Sequence, residues 1–208
     1  RELIIIKKFF KTIIIIMFIG VISIFSYKFI SKEYKEEINK KYEDEIKNMS
    51  KEDLKVVNEV ISLAKDRVGQ EYTWGGKGEI VTKERLKELI DCYGESYYPL
   101  DKKDYIGIQG FDCSGLTYWT YKEVSGVNIG YSTSQQQEVL KKYKVKDTLQ
   151  PGDLIFTTRH VVLYIGDGYV IHSKNKYKYP TGGIKKDSVK WYKKGTAYRV
   201  IDYINDQK

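Results

Sequence analysis

Residues 111–120, FDCSGLTYWT, place Cys113 between Asp112 and a Ser-Gly pair at the start of a helical pattern. Alone, such a cysteine reads as a small apolar residue opening a core helix. It becomes a nucleophile only if a base reaches it, because the thiolate is the reactive form and an unassisted thiol titrates near pH ~8.5. A helix start and an imidazolium together lower that value. The chain has two histidines, His160 and His172, both in the stretch HVVLYIGDGYVIHS. One imidazole as base and a second to orient it would complete the nucleophile, base and orienter arrangement of acyl-transfer enzymes. Zinc is the other use for one cysteine and two histidines, but the paired C-x-x-C or H-x-x-x-H spacing of a zinc site is missing. No metal or cofactor is expected.

Whether the histidines meet depends on strand register. Two β-branched and aromatic runs flank Gly166-Asp167-Gly168, which signals a hairpin. A two-residue Asp167-Gly168 turn pairs Gly166 with Tyr169 and sends the histidines to opposite faces. A three-residue turn pairs Ile165 with Tyr169 and sets Val162 opposite His172. His160 and His172 are then diagonal neighbours about 7–8 Å apart on one face, beside Tyr164 and Val170. Val161, Leu163 and Ile165 line the other face, where helices can cover them. A one-residue slip would separate the pair, so the three-residue turn is the expectation.

The surrounding elements are legible at a coarser grain. Ser50 and Asp53 form a capping-box-like start for a helix that carries Val57, Ile61, Ala64 and Val68 on one face and ends at Gly69. EYTWGGKG (71–78) reads as a loop whose glycines let backbone approach closely. Residues 77–110 form a long connection around one helix, TKERLKELIDC, expected to wall a cleft, with Cys92 as a buried structural thiol. After the Cys113 helix come VNIGYSTSQQQEVLKKYK (127–144), a loop leading into another short helix, a Pro-Gly-Asp turn at 151–153, the strand LIFTTR, the hairpin, and a last strand over Ala197–Ile201. Helices first and an antiparallel meander last make the class α+β, with N-terminal helices packed on a central antiparallel sheet.

Ahead of this domain lie a charged stalk at residues 31–50 and an apolar run, Thr12–Tyr27, preceded by Lys7, Lys8 and Lys11. The run predicts one transmembrane helix within residues 1–30, acting as an uncleaved anchor; a cleaved signal segment is the rival reading. The net charge of +8 shrinks to +4 once residues 1–30 are set aside, and no Arg-rich stripe or aromatic-basic motif is present. No nucleic acid is therefore expected as a partner, and the charges read as a solvated surface with mild attraction to anionic polymers. Two cysteines make no disulfide framework, so an exported chain would keep a free thiol for a reason.

YTWGG (72–76), FDCSGLTYW (111–119), LQPGDLIF (149–156), HVVLYIGDG (160–168) and VIHS (170–173) together resemble the NlpC-type family of papain-like cell-wall cysteine peptidases. The pieces occur in family order across roughly residues 54–203. The resemblance implies a papain-like fold over residues 51–208 and hydrolysis of peptidoglycan stem peptides after γ-D-glutamate. By position Cys113 would be the nucleophile, His160 the general base and acid, and His172 the orienting member. Tyr72 would stand near the oxyanion site, Trp74 would line the cleft, and Asp112 with Ser114 would hold the free amino end of the peptide. Two departures stand out: the 77–110 insertion, and YSTSQQ (131–136) where many members carry an arginine-containing segment. The enzyme would act outside the cell, facing the wall, either anchored in the membrane or secreted. An amidase or acyltransferase using the same three residues is a second reading, and a silent wall-binding module of an export or conjugation apparatus a third.

Overall fold

The computed structural model describes residues 32, 33, 35–37, 39–175 and 177–208. The expected membrane anchor at residues 1–30 lies outside the described residues. Among the described residues no helix is long and apolar enough to cross a membrane. The chain divides into one unit ending at Asp44 and a second spanning Glu45–Lys208. Helical residues of the charged stretch are mostly exposed, but Glu45, the first residue of the second unit, is buried.

Helix α1, Lys51–Lys65, starts at Ser50, whose hydroxyl accepts from the Asp53 N–H. Val57, Val60, Ile61 and Ala64 form its buried face, each large aliphatic contributing about 1.5–3 kcal/mol on burial. The helix ends at Lys65, short of Gly69, so Val68 falls outside it and is exposed, contrary to expectation. The 77–110 insertion is closed at its base by two short strands, β1 (Lys77–Ile80) and β2 (Gln109–Phe111). Between them lie helix α2 (Lys83–Tyr93) and the single turn α3 (Lys102–Tyr105). Val81, Leu86, Leu89, Tyr98 and Tyr105 give the insertion its own small core. Cys92, near the end of α2, is exposed rather than buried, because the insertion core is built on Leu86 and Leu89 and Cys92 falls at the margin of that face.

Helix α4, Cys113–Ser125, is the central helix, and α5 (Thr133–Leu140) follows it. The sheet contains β3 (Leu154–Thr157), β4 (His160–Gly166), β5 (Tyr169–Lys174), β6 (Gly183–Ser188) and β7 (Thr196–Tyr198). Its order is β6-β5-β4-β3-β7 and every pairing is antiparallel. Val161, Leu163 and Ile165 face the helices, packing with Val57, Ile61, Leu116 and Leu140. Val162, Tyr164 and Val170 form the second face with Ile155. The α+β class thus holds, with two differences in the tail. Strand β6 was not expected, and the last strand stops at Tyr198. Val200, Ile201 and Ile204 are buried on helix α6 (Val200–Asn205), their one-and-four spacing fitting a helix rather than a strand.

The turn between β4 and β5 also differs from the expectation. Its tip is the two-residue Asp167-Gly168, both at positive φ, with Gly166 paired to Tyr169. The next pair is Tyr164 with Val170, so Ile165 is an extra residue on β4, a β-bulge. Below it the register is that of Leu163 with Ile171, the one that puts both histidines on the same face.

Candidate active site

The start of α4 is fixed by contacts among glycines of two motifs. Asp112 is its N-cap, with Oδ1 accepting from the Gly115 N–H at 2.6 Å. The Asp112 N–H donates to the carbonyl of Gly76 at 3.1 Å. A Cβ on Gly115 would lie 2.0 Å from that same carbonyl oxygen, which explains why the position requires glycine. The YTWGG loop and the helix start therefore lock together backbone to backbone.

This locked segment docks at a fork in the sheet. The β4–β5 ladder extends from the turn to Leu163 and Ile171. Beyond it, Ser173 Oγ on β5 donates to the Phe111 carbonyl at 2.9 Å. On β4, the Val161 N–H points at the Cys113 sulfur. The thiol thus sits against the first residues of β4, one residue from His160.

The histidines meet. His160 Nε2 lies 2.8 Å from His172 Nδ1, with ring centroids 5.0 Å apart in an edge-on arrangement. His172 is almost wholly buried, and its Nε2 faces Asp187 Oδ2 and the Tyr192 hydroxyl, each at 3.1 Å. Asp187 belongs to β6, where it pairs with Val170, while Lys185 pairs with His172 and lies 3.3 Å from the Asp187 carboxylate. Burial raises the Asp187 pKa, but hydrogen bonds from His172 and Lys185 outweigh it and hold the carboxyl below its ordinary value. An ionised Asp187 fixes the proton of His172 on Nε2. His172 Nδ1 must then accept from the His160 Nε2–H, which leaves a lone pair on Nδ1 of His160. Neither Asp187 nor Tyr192 was foreseen, since their strand and turn carry no motif.

Burial dominates the electrostatics. It pushes His160 down to about 3, aided by neighbouring His172 and Lys174. It also lowers His172 despite the opposing pull of Asp187. Cys113 is pushed up to about 11, first by burial and then by the Asp112 carboxylate, against the Val161 N–H, Lys77 and the Ser114 N–H. The thiol-lowering expected from the helix start is therefore overridden, and the resting pair is a neutral thiol with a neutral imidazole.

Tyr72 is buried, and its phenol is held far above its ordinary value by burial, then by Asp112 and Cys113. It stays protonated beside the sulfur. Its ring meets Trp74 at 6.2 Å, and Trp74 stacks on Tyr97 of the insertion at 4.4 Å. Ser114 Oγ lies 2.9 Å from Asp112 Oδ1 and 3.1 Å from the Tyr131 carbonyl. Both Asp112 and Ser114 are also held by Lys77, a residue the sequence reading passed over. Among the described residues no cluster of three or more His, Cys, Asp or Glu side chains is arranged to hold a metal ion.

The sequence profile described as the NlpC/P60 family matches residues 69–196, more than half of the chain. The chain belongs to the NlpC/P60 family. This NlpC/P60 chain is similar to Gamma-D-glutamyl-L-lysine dipeptidyl-peptidase of Bacillus cereus, 42% identical over 72 residues, which cover 31% of this chain and 21% of that protein. It is similar to Murein DD-endopeptidase MepS/Murein LD-carboxypeptidase of Escherichia coli (strain K12), 37% identical over 70 residues, covering 31% and 37%. The chain therefore spans little more than a third, at most, of these relatives' own length. The solved P60 domain of an antigen from M. avium subspecies paratuberculosis shares the fold, with a TM-score of 0.50 and 24% identity over 72% of this chain and 97% of that one. Hydrolysis of cell-wall peptides is thus an activity found in the family to which the chain belongs.

Proposed function

We propose that this NlpC/P60 chain is a cysteine endopeptidase that cleaves peptidoglycan stem peptides by acyl-enzyme chemistry. The observation that carries the reading is the hydrogen-bonded series from Asp187 through His172 to His160, ending at the strand residue beside Cys113. In that series Nδ1 of His160 is the base, and it takes the Cys113 proton as the sulfur attacks the scissile carbonyl carbon. The imidazolium that forms is stabilised through His172 by the Asp187 charge. His160 then protonates the leaving amine, and a water activated by the same nitrogen hydrolyses the thioester. The Tyr72 hydroxyl and the Cys113 N–H at the helix start supply donors for the tetrahedral oxyanion.

Cleavage after γ-D-glutamate is the bond we assign, supported by the name of the Bacillus cereus relative. The apolar run at Thr12–Tyr27 supports a membrane-anchored enzyme with its catalytic unit facing the wall. Digestion of purified cell wall by the full chain, with products identified by mass, tests this reading. New termini at γ-D-glutamate and the following diamino acid support it; release of no peptide fragment contradicts it.

A further inference from the structure

Lys77 sits against Asp112 and Ser114, the two residues to which the family resemblance assigns the amino end of the peptide. Its backbone is held by pairing with Phe111 across β1 and β2, one residue before Asp112. Its ammonium lies 2.5 Å from Asp112 Oδ2 and 3.3 Å from Ser114 Oγ, with side-chain exposures of 24% for Lys77 and 14% for Asp112. The other carboxylate oxygen, Oδ1, is taken by the Gly115 N–H and Ser114. Both oxygens of the carboxylate next to Cys113 are therefore already engaged within the chain.

That arrangement has a consequence for the peptide. An enzyme that measures its cut from a free amino end needs an anion at a fixed distance from its nucleophile. Asp112 is the carboxylate adjoining Cys113, and the Lys77 ammonium lies against it. A peptide with a free ammonium must displace Lys77 or sit beside it, and two cations would then share one carboxylate. A peptide whose amino end is acylated, as when it is still joined to the glycan, brings no charge and leaves the pair intact. Discrimination of this kind works by an unfavourable contact for the wrong ligand.

We infer that Lys77 is a built-in counter-ion that fills the ammonium position beside Cys113 and selects stem peptides with acylated amino ends over those with free ones. The inference rests on the endopeptidase reading above and specifies its substrate class. Two synthetic stem peptides, identical except for a free or an acetylated amino end, are titrated into the full-length Cys113→Ala chain in detergent. The acetylated peptide is expected to bind about tenfold or more tightly, the size of one unpaired charge contact near a surface. Lys77→Met in the same background should invert the preference, and Lys77→Arg should keep it. Tighter or equal binding of the free-amine peptide by the Lys77 protein overturns the inference, as does an unchanged ratio in Lys77→Met. Cleavage by the unmutated chain is read in parallel. Failure to cleave either peptide while the binding preference persists would count against the endopeptidase reading and leave the Lys77 assignment standing.

Discussion

Nε2 of His160 and Nδ1 of His172 lie 2.8 Å apart because Ile165 bulges out of the strand between them and the turn. Were Ile165 instead paired with Val170, continuing the tip pairing of Gly166 with Tyr169, His160 would turn to the opposite face. The hairpin thus joins a tight turn, which favours the strand twist, to a register that assembles the site.

Asp187 fixes the direction of the proton network. In Asp187→Asn the amide can donate to Nε2 of His172, which moves that proton to Nδ1 and forces His160 to carry its own on the nitrogen needed as base. We expect kcat to fall by about 10²-fold or more, with Asp187→Ala less damaging, by the logic of a reversed tautomer. Steady-state rates and ring-nitrogen NMR of both variants check this. A change of less than threefold in Asp187→Asn would remove Asp187 from the account.

The burial of the thiol sets its reactivity with pH. Because the pKa of Cys113 is raised to about 11, the thiolate fraction in the free enzyme grows with pH across the whole neutral range. Alkylation by iodoacetamide should therefore accelerate by about tenfold per pH unit between pH 7 and 10. His160, lowered to about 3, stays unprotonated as pH falls through the ordinary histidine range, so the acid limb of kcat/KM should lie well below 6.5. A rate of alkylation that is already level at pH 6 would show a preformed thiolate–imidazolium pair instead.

The compact unit that holds the site includes residues ahead of α1. Glu45 is 6% exposed and accepts from the Tyr164 hydroxyl at 2.7 Å and the Asp167 N–H at 3.2 Å, bracing the turn of the histidine hairpin. Glu45→Ala leaves those donors without their acceptor, at a cost of about 1–3 kcal/mol. A chain beginning at Lys51 should show the same loss relative to one beginning at Glu45. Thermal melting of both pairs measures it, at about 2–4 °C per kcal/mol for a chain of this size. Equal melting temperatures would contradict the bracing role.

Gly115→Ala should displace the helix that begins at Cys113. The added methyl meets the Gly76 oxygen at 2.0 Å, a backbone atom that cannot swing aside. Overpacking of this kind costs about 1–3 kcal/mol or more. We expect a lower melting temperature together with loss of activity, whereas Ala at Gly126, which has open space but sits at φ +72° as the C-cap of α4, should lower the melting temperature while disturbing activity little. Full activity in Gly115→Ala would refute the locked junction.

The meeting of His160 with His172 and the faces of the hairpin were legible in the sequence because each rests on local spacing. The two-fold strand period and a Gly-Asp-Gly signal suffice to place Val161 and Leu163 under the helices. The bulge at Ile165 was not legible, since a two-residue turn with a bulge and a three-residue loop leave the same residues between the strands. Asp187 was hidden because GIKKDS offers a single large apolar residue, and its approach to His172 depends on a register set by the sheet. Lys77 reads as an ordinary surface lysine until the β1–β2 pairing brings residues 35 positions apart together. The tail was misread as a strand because Val200 and Ile201 favour that conformation, while burial of Ile204 one turn later favours the helix.

The most direct test of the central claim is the turnover of a defined stem peptide by the full chain and by Cys113→Ala, followed by product separation. The account predicts a fall of about 10³-fold or more in the variant, with an unchanged melting temperature, because the thiol is the attacking group. Turnover by Cys113→Ala within tenfold of the unmutated chain would contradict it.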